Sequence, residues 1–201
     1  MGSDIYPIFK ENLARFDHRV VPHEGDLLQY RWTESPIEIL FIDAAKSPEL
    51  MGHIANEFFP SLIPGAFVIQ QDWVSYGTPW IEVAMGLLSE FFEIMDSPEG
   101  GTVCFRVKQR IPKGALDTGY FLDPRGPECL DHAADCLSAK HGLFVRLGEA
   151  HYWAIRGDRQ RALVIWKLVQ GHRAYVPDIY ALDIERVGQL LGVDPQGFRA
   201  G

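Results

Sequence analysis

Residues 36–47, PIEILFIDAAKS, decide how this chain is read. Apart from Glu38, the run from Pro36 to Ile42 is apolar, and it ends abruptly in Asp43. Apolar residues at both odd and even positions are the pattern of a strand covered on both faces of a sheet. Ser47 and Pro48 then open a helix, with Ser47 as N-cap and Pro48 in the first helical position. That helix is expected to run to about Leu62, where Ile63-Pro64-Gly65 stops it. A second strand of the same character, AFVIQQD (66–72), again ends in an acid, Asp72. Strand, helix and strand in this order imply a parallel pair.

The flanks extend the pattern. Residues 5–16, IYPIFKENLARF, place Ile5, Ile8, Phe9, Leu13 and Phe16 near one face of a short amphipathic helix. HRVVPHEGD (18–26) reads as a short strand closed by a Gly25-Asp26 turn. Thr78 and Pro79 open the next helix, and FEIMDSPEGGTVCFRVKQ (92–109) reads as two strands around a Gly100-Gly101 turn. From Pro112 a Gly- and Pro-rich connector leads into helical segments, with Gly157-Asp158 as a tight corner between two of them. The expected fold class is α/β. A mostly parallel sheet with a C-terminal antiparallel hairpin occupies residues 5–112, and a small all-helical appendage for packing and association occupies 113–201.

The composition is that of an ordinary globular protein: 201 residues, 47% hydrophobic and 23% charged. A net charge of -8 disfavours nucleic acid, whose phosphates need clustered Lys and Arg. No apolar run is long enough to span a membrane, and the N-terminus shows no signal core, so a cytoplasmic protein is expected. Three cysteines fit a reducing compartment. Cys129, His132 and Cys136 share a helical face, but structural zinc takes four ligands at tighter spacing. An ordinary half-buried face is expected there.

The chemistry resides at the strand ends. Ligands bind at the carboxyl ends of parallel strands, and neighbouring strands lie about 4.8 Å apart. Asp43 and Asp72 would therefore meet at one spot. Two such acids repel unless a cation sits between them or one takes a proton, and a hard divalent ion such as Mg²⁺ suits an oxygen-rich site. Lys46 follows Asp43 by three residues, where it would hold a substrate oxygen or, with a lowered pKa, take its proton. A plainer reading fits the same residues: the acids cap loops and Lys46 is solvated.

IEILFIDAAKS, FFPSLIPGAFVIQQDW and GGTVCFRV, in this order and spacing, resemble the second half of a class I S-adenosylmethionine-dependent methyltransferase. The likeness is to the cation-dependent O-methyltransferases and covers about residues 5–110. It implies a Rossmann-like methyltransferase sheet and a small hydroxylated or sugar-like acceptor. It implies Asp43 and Asp72 as ligands of a divalent cation and Lys46 as the catalytic group. Gly25 and Asp26, together with Asp43, fall on the S-adenosylmethionine side. His23 and His53 are alternative bases. Trp73 stands where relatives carry Asn or Asp after the second acid, and an indole does not ligate a metal. The family's Gly-rich cofactor turn should precede residue 5, so the chain is expected to be truncated or degenerate. A non-catalytic scaffold with a relic methyltransferase fold is the alternative. Without its neighbour, PIEILFID would be an open edge. Either HRVV slides in beside it, two chains pair there as a homo-oligomer, or a partner supplies the missing strands.

Overall fold

The computed structural model describes residues 6–33, 36–96, 101–172 and 178–193. The stretch quoted above builds its centre. Strands β1 (Ile37–Ile42) and β2 (Leu62–Gln70) run parallel, with Ile39 opposite Phe67 and Ile42 opposite Gln70. Helix α2 (Pro48–Glu57) joins them. Ser47 Oγ accepts from the Leu50 N–H at 3.1 Å, and Pro48 fills the first position, where an amide hydrogen would have no partner. The helix is shorter than expected. A 3₁₀ turn (Phe59–Ser61) follows it, and Ile63-Pro64-Gly65 lies inside β2. Pro64 cannot donate to the ladder and Gly65 adopts a φ of +92°. The β1–β2 register accordingly shifts between Ile37 and Ile39.

Helix α3 (Pro79–Leu87) leads to the hairpin strands β3 (Phe92–Asp96) and β4 (Val103–Val107). The Gly100 half of the expected turn lies outside the described residues. The sheet order is β1-β2-β4-β3, with β4 antiparallel to both β2 and β3. The sheet is therefore mixed, not mostly parallel. A short connection can only turn a strand back on its neighbour, and the returning strand takes the place beside β2.

One face of the sheet is covered. Val68 and Phe105 are paired across β2 and β4 and both are buried. Phe105 meets Phe92 and Trp73 at ring-centroid distances of 6.1 and 4.8 Å. The other face is not covered along β1. Ile39 is 66% exposed and Phe41 57% exposed, and Phe67 beside Ile39 is also exposed. This overturns the expectation of a strand covered on both sides. Further along the same face, Arg106 pairs in register with Phe67 and with Glu93, and bonds the Glu93 carboxylate at 2.5 Å.

The chain divides into two units, Met1–Arg31 and Trp32–Gly201. The helices α4 (Gly126–Asp135), α5 (Ala139–Ile155), α6 (Arg159–Gly171) and α7 (Asp178–Leu190) belong to the same unit as the sheet. Helix α4 packs closely against α3. A Cβ on Gly86 of α3 would lie 2.5 Å from Cys129 Cβ of α4, so only glycine permits this crossing. Asp158 caps α6 by accepting from the Arg161 N–H, which forms the corner expected at Gly157-Asp158. No helix among the described residues is long and apolar enough to cross a membrane.

The first unit holds α1 (Tyr6–Leu13) and a 3₁₀ segment (Ala14–Arg19). The expected HRVV strand does not form. His18 and Arg19 end the 3₁₀ segment, and Val20 is extended without a strand partner. Among the described residues β1 pairs with β2 alone.

Candidate functional site

The carboxyl ends of β1 and β2 bring Asp43, Lys46 and Asp72 together. The ladder continues one step past the strands, with the Gln71 N–H donating to the Ile42 carbonyl at 3.1 Å. That bond sets the two exit loops side by side. Lys46 Nζ donates to Asp43 Oδ1 at 2.9 Å and also to Asp72 Oδ2. One ammonium thus neutralises two carboxylates that would otherwise repel. Asp43 is half exposed and Asp72 a quarter exposed, so the cluster is open to solvent.

Side chains from α3 hold both loops. Trp80 Nε1 donates to the Ala45 carbonyl at 2.7 Å, in the middle of the Asp43–Lys46 turn. Thr78 Oγ1 donates to the Asp72 carbonyl at 2.8 Å. Thr78 is the N-cap residue of α3 but makes no side-chain cap bond; its hydroxyl ties the second acid's loop to the start of the helix. Tyr120, from the connector, donates to the Pro48 carbonyl at 3.2 Å, just beyond Lys46.

The hydrogen bonds that Lys46 donates to Asp72, and then to Asp43, raise its pKa above the ordinary 10.5. Lys46 therefore stays an ammonium at neutral pH. The expectation of a lowered pKa and a proton-abstracting lysine is corrected: the group is placed to donate hydrogen bonds.

A divalent ion does not fit the cluster as built. Lys46 Nζ occupies the position between the two carboxylates. Among the described residues no three His, Cys, Asp or Glu side chains are arranged to hold a metal ion. The same statement covers Cys129, His132 and Cys136, where Cys136 Sγ lies 3.5 Å from His132 Nε2. S-adenosylmethionine fares no better within these residues. The β1–α2 connection, Asp43 to Ser47, has no glycine, and the β2–α3 connection has Gly77 alone. Neither is the Gly-rich turn that cradles such a cofactor.

The remaining expected residues fall on other elements. Asp26, after Gly25, accepts from the Leu28 N–H and caps a 3₁₀ turn (Leu27–Gln29) in the first unit. His23 packs edge-on against Tyr30 at 5.0 Å, and His53 lies on α2.

Glu82 is a functional-looking group that sequence reasoning missed. It sits on α3 with no exposed surface, and neither carboxylate oxygen has a hydrogen-bond partner among the described residues. Burial raises its pKa well above the ordinary 4.5, which favours the neutral acid over the carboxylate. Burial pushes the Tyr120 phenol upward, and a charge on Glu82 adds to it. The available signal was a single acid inside the apolar helix PWIEVAMGLL.

No family model matches the chain, and neither a curated protein nor a solved structure matches it.

Proposed function

We propose that this chain is the acceptor-binding part of a class I methyltransferase-type unit, serving a small hydroxylated or sugar-like molecule, and that further strands complete it at the β1 edge. The observation that carries this reading is the Asp43–Lys46–Asp72 cluster at the ends of two parallel strands, immediately beside an unpaired strand edge. A hydroxyl entering the cluster meets a donor and two acceptors within one hydrogen-bonding radius. The Lys46 ammonium donates to the hydroxyl oxygen, and the half-exposed Asp43 carboxylate accepts its hydrogen. Trp80 and Thr78 hold the two loops still, which keeps that geometry preorganised. When bound, S-adenosylmethionine supplies the electrophilic methyl group, and in this reading its binding residues come with the docked strands.

The test is calorimetry on the isolated chain. Catechol, as a vicinal-diol probe, is expected to bind, and Lys46→Met and Asp72→Asn are each expected to weaken it by about tenfold. S-adenosylmethionine alone is expected to give no heat. Tight cofactor binding by this chain, or catechol binding indifferent to both substitutions, would overturn the reading.

The bare β1 face favours a second reading, a scaffold in which copies of the chain pair through Ile39, Phe41 and Phe67. Light scattering separates the two. A dimer abolished by Phe41→Asp and untouched by Lys46→Met belongs to the scaffold.

A further inference from the structure

Glu82 lies where the first turn of α3, the β2–α3 loop and helix α5 meet. It follows Thr78 by four residues and Trp80 by two. Those two side chains tie the start of α3 to both strand-end loops, at the Asp72 and Ala45 carbonyls. Helix α5 closes the other side. A Cβ built on its Gly148 would lie 3.8 Å from Glu82 Oε1, 3.6 Å from the Ser75 carbonyl oxygen and 3.6 Å from Tyr76 Cα. Glu82 and the loop that carries Asp72 therefore rest against the same turn of α5. One turn further along α5, His151 Nδ1 donates to the Tyr76 carbonyl at 2.8 Å and holds that loop to the helix.

Buried polar atoms are nearly always paired, yet neither Glu82 oxygen is paired among the described residues. The protonated carboxyl tolerates such a place far better than the carboxylate, which is why burial raises the Glu82 pKa. The surroundings offer an ionised Glu82 no cation. From the connector, Tyr120 faces it, and that phenol is itself buried. From α5, Gly148 faces it, while His151 is engaged with the Tyr76 carbonyl and Glu149 with Arg146. Helix α4 meets α3 through Cys129 at Gly86, and α2 presents Gly52 to the Tyr120 ring. A carboxylate at Glu82 is hydrated only if the first turn of α3 parts from α5, and that turn is continuous with the Thr78 and Trp80 bonds.

We propose that Glu82 is the latch of a proton switch that holds or frees the strand-end loops. While Glu82 keeps its proton, α3 stays sealed against α5 and fixes the Asp43–Lys46 turn and the Asp72 loop. When the proton passes to solvent, the carboxylate turns to water and the first turn of α3 releases both loops. The sealed form holds one proton more than the open form, so low pH favours it. The ratio of open to sealed chains rises about tenfold per pH unit between the ordinary carboxyl value and the raised value of the sealed form. The switch changes the geometry of the strand-end cluster whatever that cluster binds.

The test is an NMR titration of the full chain from about pH 5 to about pH 10. The carboxyl carbon shift of Glu82 reads its proton. Fluorine signals of 5-fluorotryptophan, assigned with Trp80→Phe and Trp166→Phe, read two indoles. The Trp80 signal is expected to move in one step with the Glu82 carboxyl. The Trp166 indole donates to the Ile184 carbonyl at 2.8 Å, between α6 and α7, and is expected to stay still through that step. Glu82→Gln keeps the shape without the charge and is expected to remove the Trp80 step. Joint movement of Trp80 and Trp166 would mean global unfolding, and a Trp80 signal that stays still across the whole range would mean that no latch exists. A step that survives Glu82→Gln would belong to another group. Each of these results overturns the proposal. If Glu82→Gln does not fold, Glu82→Met is equally uncharged and carries the same expectation, and the titration of the native chain decides without either. None of these readouts needs a ligand, so the switch and the acceptor-binding reading fail separately.

Discussion

The two faces of one sheet obey opposite rules in this protein. On the covered face, Val68 and Phe105 have essentially no access to water, and even an acid, Glu82, is enclosed in the helical layer above them. On the bare face, Ile39 and Phe41 remain more than half exposed, although they belong to the same apolar run as the buried Ile42. Hydrophobicity alone does not decide which residues are buried. Alternate strand residues point to opposite sides, and only the side that receives α2, α3 and α4 becomes core. The bare side ends in apolar surface next to an edge that has no strand partner among the described residues.

The largest effect expected from this contrast compares two neighbouring residues. Val68→Asp places an unpaired charge in the core and is expected to cost about 4 kcal/mol or more in chemical denaturation. Phe67→Asp, one residue away and facing outward, is expected to change stability by less than about 0.5 kcal/mol. Similar losses at both positions would show that the second face is covered in solution.

The next effect concerns pH. The fold favours the neutral form of Glu82, because burial raises its pKa well above 4.5. The unfolded chain releases this proton from about 4.5 upward, while the folded chain keeps it, so the folded state binds the extra proton. Its contribution to stability is full below the unfolded value and is lost as pH rises toward the folded value, at up to about 1.4 kcal/mol per pH unit. Glu82→Gln mimics the neutral acid. Denaturation curves from pH 4 upward are expected to show this slope in the native chain and its removal in the variant. Parallel slopes would mean that water or a cation reaches Glu82.

The smallest effect belongs to the strand ends, at the boundary between the two faces. Lys46→Met removes the ammonium from between Asp43 and Asp72. All three groups are open to water, so the cost is expected to be under about 1 kcal/mol. A loss of several kcal/mol would mark the cluster as a structural clamp instead of a binding site.

Part of this was legible in the residues. Asp43 and Asp72 each end an apolar run, and a strand–helix–strand link makes such runs parallel neighbours, so their meeting at one point follows from chain geometry. Ser47 and Pro48 announce the helix because each satisfies a local backbone need. The position of β4 was not legible, since a hairpin reads the same whether its first or its second strand lies beside β2. The bare face was hidden for a similar reason: Ile39 and Phe41 give the same pattern whether a helix covers them or not. HRVV has the composition of a strand, but four residues without a pairing partner have no ladder to join.

The sequence by itself determined the α2 cap, the Gly157-Asp158 corner and the delivery of two carboxylates to one end of a parallel pair. These depend on bonds between residues close along the chain or on the period of a strand. Only the tertiary structure decided that Lys46 lies between those carboxylates as a fixed ammonium and that Glu82 is sealed in where the neutral acid is favoured. Each of these depends on which surfaces, distant in sequence, exclude water from one another, and that is a property of packing.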